Sequence, residues 1–187
     1  LDTHDGIGIV DAKGLMSQQE IDRTIQGLYK KGSNVKRIYN SMAYNNVDIY
    51  QVNCTYYSAL ECNDDSYICA RIIQFFTPGI PQVYYVGLLA GKNDIPYAEK
   101  TRQGRNINRH NYDLEEIDRA VQQPVVQRLL RLMKFRNTYP AFNGEFSIED
   151  SPEHRIVLKW THDAYQATAS INLTDYENRI VYYDPAA

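Results

Sequence analysis

A chain of 187 residues, 43% of them apolar or tyrosine, is long enough to bury one real core, or a core with a small appended module. Its 20 basic and 23 acidic residues are dispersed and leave a net charge of −3, which argues against the basic tracts that nucleic acid or an anionic membrane surface requires. No apolar run approaches a bilayer span, and Leu1–Val10 lacks the make-up of a secretion signal; three loosely spaced cysteines, Cys54, Cys62 and Cys69, suit free thiols in a reducing, cytoplasmic compartment better than a disulfide framework or a zinc site.

The chain opens on "LDTHDGIG", Leu1 to Gly8. Leu1–Thr3 reads as a strand end, with His4-Asp5 at its tip and glycines beyond. A carboxylate there ionises, accepts sugar hydroxyls and stabilises positive charge in a transition state, and His4 donates to the same ligand. The same residues also make an ordinary His-Asp turn in which Gly6 supplies only geometry. Ser17-Gln-Gln-Glu20 is a capping box, followed at helical spacing by Ile21, Ile25 and Leu28, with Gly32 closing that helix near Lys31. The largely polar stretch at about 13–47 reads as an excursion from the main fold, turned back by Asn45-Asn46. "DIYQVN", Asp48 to Asn53, gathers a carboxylate, a phenol and amides suited to a polyol, or else forms a turn into the next helix.

Asn63-Asp64-Asp65 opens a helix with Ile68, Ile72, Phe75 and Phe76 on one face, stopped by Thr77-Pro78-Gly79. "IPQVYYVG", Ile80 to Gly87, has the apolar texture of a parallel strand buried on both faces, and Leu88 to Asn111 follows as a polar loop. Within that loop "GRNINRH", Gly104 to His110, clusters two arginines, two asparagines and a histidine, suited to vicinal hydroxyls or to salt bridges. Asp113-Leu-Glu-Glu116 caps a further helix. Pro124 begins another, with Val125, Leu129, Leu132 and Met133 inward, and Pro140 ends it. From about Ala141 the texture alternates through "RIVLKWT", "YQATASINL" and "RIVYY", the pattern of a small antiparallel β module. A helix between two apolar strand-like runs is a βαβ signature, and in such folds chemistry sits on loops after the carboxyl ends of strands. No nucleophile–base pair, phosphate-cradling glycine loop or metal-ligand grouping emerges from spacing, so no metal or cofactor is expected.

Taken in order, "LDTHDGIG", "VDIYQVNCTYYSALECNDD", "ARIIQFFTPGIPQVYYVGLLAGKND" and "GRNINRHNY" resemble the sucrose phosphorylases of the α-amylase superfamily. The likeness runs through nearly the whole chain and thins after Pro140. It implies an α/β fold: residues 1–140 as the last strands and helices of a (β/α)8 TIM barrel, and 141–187 as a small antiparallel β domain. It implies reversible transfer of a glucosyl group from sucrose to phosphate, giving glucose 1-phosphate and fructose, with retention through a covalent glucosyl-enzyme. By the resemblance, Asp5 corresponds to the transition-state-stabilising aspartate and His4 to a ligand of the glucosyl ring. Asp48 and Tyr50 correspond to a mobile loop that serves fructose and then phosphate, Gln51 to its acceptor side, and Arg105 to the arginine on the far hydroxyls of the glucosyl unit. Arg109 and His110 receive no direct ligand role.

The family's nucleophile and acid/base have no counterpart in these residues, so the chain is expected to be the C-terminal part of a longer enzyme and inactive alone. Within the resemblance, sucrose 6′-phosphate and glucosylglycerate remain alternative substrates. A non-catalytic sugar-binding module, or a structural fragment that assembles with a partner chain, remains an alternative of another class. The family's members often pair as homodimers, and the excursion is the expected contact.

Overall fold

A computed structural model describes residues 2–9, 12, 14–30 and 51–185. The chain divides into two compact units: Leu1–Asn63 with Val83–Val121, and Asp64–Gln82 with Gln122–Ala187.

The first unit begins with a small antiparallel sheet, β1 (Asp2–Thr3), β2 (Gly6–Gly8) and β3 (Gln51–Val52), in the order β1-β2-β3. Thr3 pairs with Gly6, so His4 and Asp5 form the two-residue turn between β1 and β2. Gly6 has φ +106°, and a Cβ there would stand 2.1 Å from the Val52 carbonyl oxygen, so only glycine fits this close passage. Helix α1 (Gln18–Lys30) is capped as its sequence predicts: Glu20 accepts from the Ser17 N–H at 2.8 Å, and Ser17 Oγ accepts from the Glu20 N–H at 3.3 Å. Its stripe of Ile21, Ile25 and Leu28 is buried in one cluster with Ile9, Val52, Cys54 and Ala59.

The short helix α2 (Tyr56–Ala59) is capped by Thr55, whose Oγ1 accepts from the Ser58 N–H at 3.1 Å. Asn93 joins this turn to the later part of the unit. Its Oδ1 accepts from the Thr55 N–H at 2.8 Å, and its N–H donates to Ser58 Oγ at 2.9 Å. Helices α4 (Tyr85–Leu88), α5 (Ile95–Thr101) and α6 (Leu114–Val121) and a 3-10 turn over Gly104–Asn108 complete the unit. The Asp113–Glu116 capping box closes in both directions, at 2.9 and 2.8 Å.

The second unit packs α3 (Asp64–Phe76) against α7 (Pro124–Thr138) and against a four-stranded antiparallel meander. The strands β4 (Glu145–Glu149), β5 (Arg155–His162), β6 (Tyr165–Asn172) and β7 (Asn178–Tyr183) lie in sequence order. The register sets large against small: Trp160 faces Ala167 and Leu158 faces Ala169, all buried. Period-two burial of this kind is what the alternation in the sequence encodes. Phe76, Phe142 and Trp160 build an aromatic core, with Phe76 edge-on to Phe142 at 5.2 Å and Phe142 tilted on Trp160 at 5.8 Å. Pro124 stands at the start of α7 as expected, and Val126 joins Val125, Leu129 and Leu132 in the core, whereas Met133 is only half-buried.

Two expectations need correction. Ile80–Gly87 is not a strand: Tyr84 is extended, but Tyr85–Leu88 turns into helix and Ile80 is 91% exposed. A strand requires ladder partners; Pro81 has no N–H to offer, and this stretch has no strand partner among the described residues. Leu88–Asn111 is not a plain loop either, because Asp94 caps α5 by accepting from the Tyr97 N–H at 2.9 Å, and Arg102 ends that helix in a left-handed conformation with φ 54°. Every described strand pairing is antiparallel. The fold is thus a mixed helical region with a C-terminal antiparallel sheet, and the parallel barrel strands implied by the resemblance are not seen among the described residues. The turn at His4-Asp5 folds Asp2–Thr3 back onto Gly6–Gly8, so this strand end finds its partner locally.

A buried hydrogen bond from Trp160 Nε1 to the Phe76 carbonyl, at 2.7 Å, joins the two layers of the second unit. Trp160→Phe keeps an aromatic ring but leaves that carbonyl without its donor, and is expected to cost roughly 1–3 kcal/mol. Denaturant unfolding at unchanged slope should register the loss as a lower midpoint; an unshifted midpoint would show that the bond contributes nothing net.

Candidate active site

The candidate site is the His4-Asp5 turn and the residues that hold it. Three consecutive carbonyls of the turn accept from three side chains distant in sequence. Asn108 Nδ2 donates to the Thr3 carbonyl at 2.8 Å, Arg109 Nε to the His4 carbonyl at 2.8 Å, and Asn53 Nδ2 to the Asp5 carbonyl at 2.7 Å. Thr3 adds local closure, its Oγ1 accepting from the Asp5 N–H at 3.2 Å. Hairpin turns usually leave such carbonyls to water; here the turn is tied to the frame at each residue.

The Asp5 carboxylate is itself flanked. Arg109 Nη2 stands 2.9 Å from Oδ1, and His4 Nε2 stands 3.1 Å from Oδ2. The Asp5 side chain is 33% exposed and that of His4 64% exposed, so both groups are held yet reachable from solvent. Asn53 and Asn108 are buried, and among the described residues Asn108 Oδ1 is a buried acceptor without a hydrogen-bond partner.

The remaining sequence-predicted residues fall as follows. Arg105 lies in the 3-10 turn Gly104–Asn108, is exposed, and makes no ion pair with Asp5. Gln51 enters as backbone in β3, opposite Gly8. Asp48 and Tyr50 lie outside the described residues. The arginine that meets Asp5 is therefore Arg109, four positions beyond Arg105. Sequence reasoning singled out the "GRNINRH" run but had no way to tell which of its members reaches back across a separation of 104 residues.

His110 sits beside this clamp, with Nδ1 at 2.5 Å from Asp94 Oδ2 and Nε2 at 3.3 Å from Glu116 Oε1. Burial disfavours the charged ring, but the hydrogen bonds to Asp94 and Glu116 outweigh it and hold its pKa above the usual histidine value. Tyr112, whose ring lies edge-on to His110, has its hydroxyl pushed up to about 12 by burial and then by Tyr85, Glu116 and Asp94. Asp94 and Glu116 face opposite nitrogens of His110 rather than a common point, and among the described residues no group of three or more His, Cys, Asp or Glu side chains is arranged to hold a metal ion. No described helix is long and apolar enough to cross a membrane.

No protein-family model matches the chain. It is 51% identical over 185 residues to a sucrose 6(F)-phosphate phosphorylase of Thermoanaerobacterium thermosaccharolyticum, covering 97% of this chain and 38% of that protein. To a sucrose phosphorylase of Streptococcus mutans it is 51% identical over 188 residues, covering 98% of this chain and 39% of the relative. A glucosylglycerol phosphorylase of Marinobacter adhaerens is 46% identical over 185 residues, with 98% and 38% covered. The crystal structure of the sucrose 6F-phosphate phosphorylase from Thermoanaerobacter thermosaccharolyticum superposes with a TM-score of 0.91 at 49% identity, across 100% of this chain and 38% of that one. The chain thus spans about two fifths of the length of these relatives. Over nearly all of its own length it is homologous to the sucrose-phosphorylase-like enzymes of the α-amylase superfamily, matching a C-terminal-like stretch of them.

Proposed function

We propose that this chain supplies the transition-state-stabilising part of a retaining glycoside phosphorylase that moves a glucosyl group between sucrose and phosphate. The observation that carries the proposal is the Asp5 carboxylate, ion-paired with Arg109 and flanked by the His4 ring, on a turn whose three carbonyls are all tied down. Homology to phosphorylases of sucrose, sucrose 6(F)-phosphate and glucosylglycerol supports the reaction class.

In this reading the nucleophile and the acid/base belong to the remainder of the enzyme, as a pair of carboxylates about 5–5.5 Å apart flanking the glycosidic bond. Attack on the anomeric carbon and protonation of the departing fructose build positive charge on the sugar ring. Asp5, held in place by Arg109, hydrogen-bonds the ring hydroxyls more strongly as that charge grows. His4 binds the same glucosyl unit, and Arg105 contacts its far hydroxyls. Phosphate then displaces the covalent intermediate. An acidic Asp48 facing phosphate is unfavourable, so Tyr50 takes the place of Asp48 as the acceptor changes, and the segment limits entry of water.

A second reading of the acceptor has its own support. The chain is as similar to a sucrose 6(F)-phosphate phosphorylase as to a sucrose phosphorylase, at 51% identity to each. Tyr50 and Gln51 favour unmodified sucrose by resemblance. Comparing kcat/KM on sucrose and on sucrose 6′-phosphate decides between them.

Asp5→Asn in the enzyme that carries this chain should lower kcat by about 100-fold or more with the fold intact, because the amide keeps the size and loses the charge. Turnover near the parent's would remove Asp5 from the chemistry. Tyr50→Ala should reduce phosphorolysis more than hydrolysis of the glucosyl-enzyme, read as the ratio of glucose 1-phosphate to glucose released. An unchanged ratio would argue against the loop exchange.

A further inference from the structure

The clamp on Asp5 is itself anchored by a second cluster. Both ring nitrogens of His110 face carboxylates, Asp94 Oδ2 at 2.5 Å and Glu116 Oε1 at 3.3 Å. Only the imidazolium donates from both nitrogens; a neutral ring would turn a lone pair toward one of the two carboxylates. Neither carboxylate is a loose surface group. Asp94 Oδ1 caps α5 by accepting from the Tyr97 N–H, and Glu116 Oε2 accepts from the Asp113 N–H to close the capping box of α6. The backbone adds two ties: the Tyr85 hydroxyl donates to the His110 carbonyl at 2.8 Å, and the Asp94 N–H donates to the Ile107 carbonyl at 2.7 Å. His110 is thus held between the N-termini of two helices, and the residue before it is Arg109.

We propose that His110 is a positioning residue: gripped between Asp94 and Glu116, it sets the chain so that Arg109 meets both the Asp5 carboxylate and the His4 carbonyl. The proposal rests on the reading of Asp5 given above. Its logic is geometric. Asn108 and Arg109 make hydrogen bonds of 2.8–2.9 Å to three atoms of the turn, and such bonds tolerate displacements of only about half an ångström before they fail. One anchored residue beside them converts a surface loop into a fixed support.

The groups facing the ring are Asp94, Glu116 and Tyr112, and Tyr85 meets its carbonyl. Tyr112, at about 12, stays neutral throughout the range in which histidine titrates. The pKa of His110 is raised in the folded chain. The grip is therefore complete below the ordinary histidine value and is lost as pH rises through the raised one.

The test uses the whole enzyme on whichever of sucrose and sucrose 6′-phosphate it turns over with inorganic phosphate. His110→Gln should lower kcat about tenfold to a hundredfold, with KM for the donor sugar changed less than about threefold. Asp94→Asn and Glu116→Gln keep the capping oxygen and remove the charge. Each should lower the His110 pKa read by NMR and move the alkaline limb of kcat to lower pH by the same shift. Adding His110→Gln to Arg109→Gln should cost little beyond Arg109→Gln alone. Additive losses, or an alkaline limb that stays while the His110 pKa moves, would overturn the positioning role; should His110→Gln not fold, the two amide variants decide alone. An inactive Asp5→Asn alongside a normal His110→Gln rejects only the positioning role, whereas an active Asp5→Asn rejects the underlying reading.

Discussion

Arg109 spends one guanidinium on two different problems. Its Nε satisfies the His4 carbonyl, and its Nη2 pairs with the Asp5 carboxylate. A lysine, with a single compact ammonium, could not hold both directions at once. The pair is part-exposed, at 27% for Arg109 and 33% for Asp5, so solvent screens it and its net contribution to stability is about 0–1 kcal/mol. Its value is directional: it fixes where the Asp5 side chain sits while leaving part of it exposed to solvent.

The rest of the first unit explains why the constraint holds. Gly6 lets the turn lie against the Val52 carbonyl, which brings Asn53 within reach of the Asp5 carbonyl. The apolar stripe of α1 covers the same small sheet through Ile9 and Val52, so the hairpin is backed by a core. A two-residue turn on three strands of two or three residues would be marginal by itself. It becomes a rigid platform because one side is packed and the other is pinned by Asn53, Asn108 and Arg109. The second unit reaches rigidity by a different route. Large and small side chains alternate across β5 and β6, and Trp160 fixes the sheet to the end of α3 through the Phe76 carbonyl.

What was legible in the sequence were the features whose cause is local. The Ser17–Glu20 and Asp113–Glu116 boxes, Pro124 at the start of α7 and the period-two alternation after residue 141 all formed as read. Ile80–Gly87 misled because an apolar β-type run says nothing about whether a partner strand lies beside it. Pro81 was the residue that spoke against a ladder. Within "GRNINRH", Arg105 and Arg109 are equivalent by composition. Their difference arises because the 3-10 turn exposes one and leads the other toward Asp5, a pairing across more than a hundred residues that no spacing rule carries. Asn53 and Asn108 were visible only as polar residues, and their work is to satisfy carbonyls of a distant turn. The acceptor loop, with Asp48 and Tyr50, is read from resemblance alone, because those residues lie outside the described ones.

Asn108 shows where the balance between stability and precision falls. Its Nδ2 holds the Thr3 carbonyl, while its Oδ1 is buried without a partner among the described residues. A buried acceptor left without a partner costs about 1–3 kcal/mol, comparable to or greater than the net gain of one neutral hydrogen bond. Taken only as a contributor to folding, Asn108 is a poor choice, and an apolar side chain of similar volume would serve as well. Leucine there, however, would release the carbonyl that begins the turn carrying His4 and Asp5. The amide is better explained by the position it gives those two side chains than by the stability it gives the unit. The same holds for the grip on His110, which lies on the next residue but one and takes up two helix-capping carboxylates.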